Sequence, residues 1–230
     1  MPARSVFFDF GGTLCHSLAD ILPVFQEAAR RASAELPWEE YMRANDECWN
    51  ELWPEAPRLV GRTPSFPDRV HQMALERVGF TGPTELLVRY IPEEATSTRW
   101  HVPFPETEET VRQLRALGFS THVISGHVDY LPLILANLGW SDLFDTVTFT
   151  QEVGVQKPDP RVFRFALQRA GRAAADSTFV GDSWEADYLG ARRVGMSAVW
   201  LNRAGTPAPG PCQEIRTLGE LGPLLLDPAP

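Results

Sequence analysis

Five short runs along the chain are dense in β-branched and aromatic residues: 5–8 (SVFF), 121–124 (THVI), 146–149 (TVTF), 178–180 (TFV) and 198–201 (AVWL). Runs of this kind, bounded by turn-forming residues, read as buried strands. Helical periodicity fills the intervals between the later ones. Val162, Phe163, Ala166, Leu167 and Ala170 share one face of a helix that Asp159 can cap, Pro160 can open and Gly171 can close. Val111, Leu114 and Leu117 give an earlier helix its apolar face. Glu106, Glu108 and Glu109 place negative charge where its dipole favours it, and Gly118 stops it. A third helix is expected from about Glu185 to Val194, ending at Gly195. This alternation, from residue 107 onward, implies βαβ units and therefore an α/β fold built on a parallel sheet.

The stretch from Ser17 to Thr98 breaks that rhythm. It carries helical segments, the aromatics Trp38, Tyr41, Trp49, Trp53 and Tyr90, and turn punctuation at Pro54, Pro57, Gly61, Pro64 and Pro67, with no convincing strand. The expected organisation is a core of residues 1–16 and 99–230 with a helical module, 17–98, inserted after the first strand. The tail from Thr206 contains six prolines and is expected to pack loosely over the core. No internal repeat is visible.

Composition narrows the function class. A chain of 230 residues can bury a sizeable core. With 21 basic and 30 acidic residues the net charge is −9, which argues against nucleic acid or an anionic membrane as the main partner. No apolar run approaches the roughly 18 residues of a membrane span, and MPARSVFFDF lacks the apolar stretch of a secretory signal. Cys15, Cys48 and Cys212 are too few and too scattered for a disulfide framework or a zinc site. The expectation is a cytoplasmic enzyme or small-ligand binder.

Ligands of open parallel sheets bind outside the carboxyl ends of the strands. Asp9 follows the first strand run, Ser125 the second and Asp182 the fourth, while Lys157 lies eight residues past the third. Lys157 is the only lysine in the chain. Charges converging on a sheet end are costly to bury unless they pair or bind a metal. Two aspartates, a lysine and a hydroxyl suit Mg²⁺ and a phosphate group, because Mg²⁺ takes carboxylates together with substrate phosphate.

The stretches Phe7-Phe8-Asp9-Phe10-Gly11-Gly12-Thr13-Leu14, Val123-Ile124-Ser125-Gly126, Gln156-Lys157-Pro158-Asp159-Pro160 and Phe179-Val180-Gly181-Asp182-Ser183-Trp184-Glu185-Ala186-Asp187 resemble, in order and spacing, the motifs of the haloacid dehalogenase superfamily. Most of its members are phosphohydrolases. The resemblance implies a Rossmann-like core with an inserted α-helical cap. It implies that Asp9 is the nucleophile that becomes an aspartyl phosphate, that Ser125 and the backbone near Gly126 contact the phosphoryl group, and that Lys157 neutralises its charge. Gly12 and Thr13 would line the same phosphate site. Mg²⁺ would be held by Asp9, Asp182, Asp187 and the backbone carbonyl of Gly11, and the substrate would be a small phosphorylated metabolite.

One position departs from that pattern. Family phosphatases carry a second aspartate, the general acid/base, where this chain has Gly11. Such a group contributes about 10²–10⁴ in rate. Three readings stay open: a phosphatase that is slow or borrows another acid, an impaired phospho-ligand binder or regulator, and a dehalogenase-type hydrolase. The last fits less well. Dehalogenases of the family resemble Asp-x-Tyr-Gly-Thr and need no metal, whereas Asp182 and Asp187 are retained here. Phosphonatases use a cap lysine, and none occurs between Thr13 and Trp100. His16 and His127 adjoin the site and are candidates to replace the missing acid. Trp38, Trp49 and Trp53 are expected in the cap core, Cys15 as a small buried hydrophobe, and Arg30-Arg31 on a solvated helix face.

Overall fold

The computed structural model describes residues 5–16 and 21–226. The chain begins with β1 (Ser5–Phe8) and passes into four helices, α1 (Leu22–Arg31), α2 (Trp38–Leu52), α3 (Phe66–Arg77) and α4 (Thr84–Ala95). A 3₁₀ segment, Trp53–Leu59, follows α2. Then come α5 (Thr107–Ala116), β2 (Ser120–Ser125), α6 (Leu131–Asn137), β3 (Thr146–Phe149), α7 (Thr150–Val153), α8 (Pro160–Ala170) and β4 (Ser177–Gly181). The chain finishes with α9 (Gly190–Arg192), β5 (Ser197–Leu201), β6 (Glu214–Ile215) and α10 (Leu221–Leu226).

The six strands form one sheet in the order β3-β2-β1-β4-β5-β6, and every neighbouring pair is parallel. Alternation along β1 explains why both faces must be covered. Val6 and Phe8 pack on one side with Val111 and Leu114 of α5, Ile134 of α6 and Leu221 of α10. Phe7 packs on the other with Val162 and Phe163 of α8 and Ala191 of α9. The expected strands and the helices around 107–116 and 160–170 are all present, with Asp159 capping α8 and Gly171 closing it at φ 62°.

Two expectations change. The tail does not pack loosely: β6 pairs with β5, and Ile215, Leu218 and Leu221 are buried in the core. A two-residue strand is too short to leave a pattern among six prolines. The helix expected over 185–194 opens instead as a π-turn, Trp184–Leu189, before α9. The backbone amides of Asp187 and Tyr188 both donate to the Ser183 carbonyl, which widens the turn.

Helices α1–α4 bury their own apolar cluster, including Phe25, Tyr41, Phe66, Val70, Leu87 and Ile91. Arg31 is exposed, as expected for a solvated face, and also ties α1 to α4 through Glu93 and Glu94. Hydrogen bonds that hold the helical layer against the core include Trp53 Nε1 to the Gly154 carbonyl (3.2 Å), Gln151 Nε2 to the Ala56 carbonyl (3.0 Å), Tyr130 hydroxyl to Asp68 (3.1 Å), the Gly61 amide to Asp129 (3.2 Å) and Asn137 Nδ2 to the Thr96 carbonyl (2.9 Å). No helix among the described residues is long and apolar enough to cross a membrane.

Because Leu218 is fully buried, Leu218→Ala is expected to lower the free energy of urea unfolding by about 2–5 kcal/mol. A change under about 0.5 kcal/mol would mean the tail does not dock on the core.

Candidate active site

The carboxyl ends of β1, β2 and β4 present Asp9, Ser125 and Asp182 to a cleft of about 390 Å³, where they meet Lys157 and Asp187. Strand geometry sets their places. Asp9 continues β1, and its amide donates to the Val180 carbonyl of β4 (2.9 Å), which fixes the strand end. Ser125 is the last residue of β2 and is buried. Asp187 hangs from the π-turn, where its Oδ2 accepts from the Ser183 amide (3.0 Å).

The Lys157 ammonium joins these pieces. It donates to Asp9 Oδ1 and Asp187 Oδ1, each at 2.6 Å, and to the Ile124 carbonyl at 3.3 Å. The lysine and Asp187 side chains are 7% and 1% exposed. Burial alone would drive Lys157 towards neutrality, but the two carboxylates outweigh it and raise its pKa above the usual value. Burial pushes Asp9 up to about 7 against the pull of Lys157, with Asp187 and Asp182 adding to the rise. Burial, then Asp187, likewise raises Asp182.

Three carboxylates against one ammonium leave surplus negative charge. Asp9, Asp182 and Asp187 each offer an oxygen, and these atoms lie within 4.8 Å of one another. A compact all-oxygen donor set with excess negative charge suits a divalent cation of the Mg²⁺ type. The backbone behind it is tightly fitted. A Cβ on Gly181 would strike the Asp187 carboxylate, and one on Gly12, whose φ is 79°, would strike that of Asp182. Thr13 is buried, with its hydroxyl 3.5 Å from Asp182 Oδ1. Gly11 and Gly126 line the cleft. Every residue expected at the site is therefore brought to it or into contact with it.

Sequence reasoning passed over two contributors. Arg203, two residues beyond β5, donates to the Gly12 and Thr13 carbonyls (3.3 and 3.0 Å) and to Glu106 (2.7 Å), bracing the loop after β1. His101 lines the cleft beside His127, and its Nε2 lies 2.8 Å from the Ala95 carbonyl. Of the two histidines weighed as acids, His127 accepts the Val128 amide on Nδ1 (3.0 Å) and burial holds it down at about 4. The His16 ring packs on Phe104. Cys15 is buried with its thiol pushed up to about 12, so it is unreactive. Trp49 and Trp53 are half-buried and pack on Phe66 at the edge of the helical layer's core, and they also line a second chamber beside the cleft.

A model of haloacid dehalogenase-like hydrolases matches residues 3–195. The chain belongs to this family. It is similar to a phosphoserine phosphatase of Thermus thermophilus, 31% identical over 87% of this chain and 81% of that protein. Among solved structures it is similar to a HAD phosphatase from Thermococcus onnurineus (27% identity, 96% and 97% of the two chains, TM-score 0.64). A 2-haloacid dehalogenase from Pseudomonas syringae pv. Tomato is also similar (25% identity, 97% and 98%, TM-score 0.78). The chain is thus a hydrolase of the haloacid dehalogenase-like family with the expected α/β core.

The raised Asp9 carboxyl has a measurable consequence. The fold keeps its proton up to about pH 7, whereas the ordinary value is 3.8, so ionising Asp9 costs stability as pH rises through that window. Buried His71 and His127, held down at about 4, act with the opposite sign, which makes Asp9→Asn the necessary comparison. In metal-free buffer Asp9→Asn is expected to melt above wild type at about pH 7.5, with the gap narrowing towards about pH 4. A gap that does not change with pH would show that Asp9 is not strained by burial.

Proposed function

We propose that the protein is a Mg²⁺-dependent phosphatase of small phosphate monoesters, with Asp9 as nucleophile. The observation that carries this reading is the Lys157 ammonium at 2.6 Å from both Asp9 and Asp187. The three-carboxylate cluster adjoins it at the sheet end. The named phosphatases among the relatives support the same chemistry. In this reading residues 1–16 and 99–230 form the core and 17–98 the cap that closes over the ester.

An Asp9 carboxylate oxygen attacks phosphorus in line, the bond to the ester oxygen breaks, and the leaving alkoxide takes a proton. Lys157 holds the attacking carboxylate in place and balances the charge that develops on the phosphoryl oxygens. Ser125 and the backbone around Gly126, with the loop of Gly12 and Thr13, position that group. Water then attacks the aspartyl phosphate, releasing phosphate and regenerating Asp9. Asp9, Asp182, Asp187 and the Gly11 carbonyl would hold Mg²⁺, which supplies charge neutralisation of the phosphoryl group when bound. Gly11 has no side chain to move the proton in either half, so turnover depends on good leaving groups or on water and neighbouring imidazoles.

The test is phosphate release from an activated aryl phosphate by wild type, Asp9→Asn and Gly11→Asp. Wild type should turn over with Mg²⁺ and stop with EDTA. Asp9→Asn should fall by about 10³-fold or more, and Gly11→Asp should rise by up to about 10²-fold. Silence in wild type with gain in Gly11→Asp would make the natural protein a phospho-ligand binder. Metal-independent chloride release from 2-chloropropionate would assign it to dehalogenase chemistry.

A further inference from the structure

Next to the catalytic cleft lies a second chamber of about 300 Å³ between the helical layer and the sheet end. The two share His101, Gly126 and His127 in their linings, so the chamber adjoins the space next to Asp9. A Cβ at Gly126 would come to 3.5 Å of the Gln156 amide oxygen, on the wall of the same chamber.

The chemistry of this chamber differs from that of the cleft. Phe25, Trp49, Trp53, Pro67, Val128 and Tyr130 form apolar walls. The Trp49 and Trp53 rings lie nearly parallel, with centroids 6.0 Å apart. Among the described lining residues there is no lysine or arginine, and the one carboxylate is Asp46. Burial holds His71 and His127 down at about 4 and lowers His101, so none supplies a positive charge at neutral pH. A carboxylate or second phosphate placed here would lose water with no cation to replace it.

The chamber does offer neutral hydrogen-bonding groups. His71, 4% exposed, accepts the Asn45 amide on Nδ1 at 3.0 Å, with the Tyr41 hydroxyl 3.1 Å from the same nitrogen. That arrangement leaves the proton on Nε2, and the Asn45 side-chain oxygen is available as an acceptor. Both residues line the chamber. Aromatic walls with a few neutral polar groups suit a flat, uncharged ring.

We propose that this chamber receives the leaving group, and that the substrate is the phosphate monoester of a ring-bearing alcohol with no second anionic group. This rests on the phosphatase reading. It separates the protein from a phosphoserine-type specificity, whose leaving group carries a carboxylate.

The experiment compares esters of similar leaving ability on the Mg²⁺-loaded protein: 2-phenylethyl phosphate, uridine 5′-monophosphate, ethyl phosphate and phosphoserine. Both ring-bearing esters are expected to exceed ethyl phosphate in kcat/KM by about 30-fold, with phosphoserine lowest. The order within the pair separates a nucleobase from a simple aryl ring. Equal rates for ethyl and ring-bearing esters, or a preference for phosphoserine, would overturn the proposal. A binding readout makes the chamber's test independent of turnover. Tryptophan fluorescence should report 2-phenylethylphosphonate binding about 30-fold more tightly than ethylphosphonate. If no ester is hydrolysed but that ratio holds, the phosphatase reading falls and the ring-binding chamber stands; equal affinities would remove the chamber.

Two variants localise the effect. Trp49→Ala should lower the ring-to-ethyl ratio by about 10-fold. Asp46→Arg, at an exposed position, should leave the fold intact and shift selectivity towards phosphoserine by supplying its carboxylate with a partner. An unchanged selectivity in a folded Asp46→Arg protein would place the leaving group elsewhere.

Discussion

One buried ammonium determines how this sheet can end. Lys157 sits between Asp9 of the first motif and Asp187 of the last, bonded to each at 2.6 Å. Without a cation there, two carboxylates with little access to water would face each other at the carboxyl end of the sheet, an arrangement costing several kcal/mol. The same ammonium reaches the Ile124 carbonyl near the end of β2, so one side chain ties the ends of β1 and β2 to the turn that follows β4. The close seating of Gly12 and Gly181 against Asp182 and Asp187 follows from that crowding. Only backbone fits where carboxylates already occupy the space.

The ion cluster explains the form of the helical layer above it. A charged cleft open to bulk water would screen the interactions that make it useful. The hydrogen bonds from Trp53, Gln151, Tyr130 and Asn137 hold the layer against the core at several points. Its aromatic residues then serve two surfaces. Trp49 and Trp53 pack on Phe66 within the layer and also wall the chamber facing the sheet.

The sheet was legible because buried parallel strands are compact apolar runs, and a residue immediately after such a run must emerge at the ligand-binding edge. That logic locates Asp9, Ser125 and Asp182, and a sole lysine draws attention to Lys157. Legibility failed where structure depends on long-range partners. β6 is two residues long and exists through its pairing with Trp200 and Leu201. The widened turn at 184–189 keeps ordinary helical composition, and its geometry is visible only in the doubled bond to the Ser183 carbonyl. His101 and Arg203 carry no local signature, because their roles arise from residues distant in the chain. Core and pocket are likewise indistinguishable by periodicity, so Trp49 and Trp53 read simply as core.

The strand order gives the site a temporal property. Its principal groups come from positions 9, 125, 157, 182 and 187, and β1 lies between β2 and β4, with which it pairs only after chain segments of more than a hundred residues have been brought together. Such non-local pairings are intrinsically slow to form. A nascent or partly unfolded chain can expose Asp9 yet has no Lys157 beside it and no acidic partners. The ammonium–carboxylate cluster therefore exists only once the sheet is complete, so its assembly marks the finished fold.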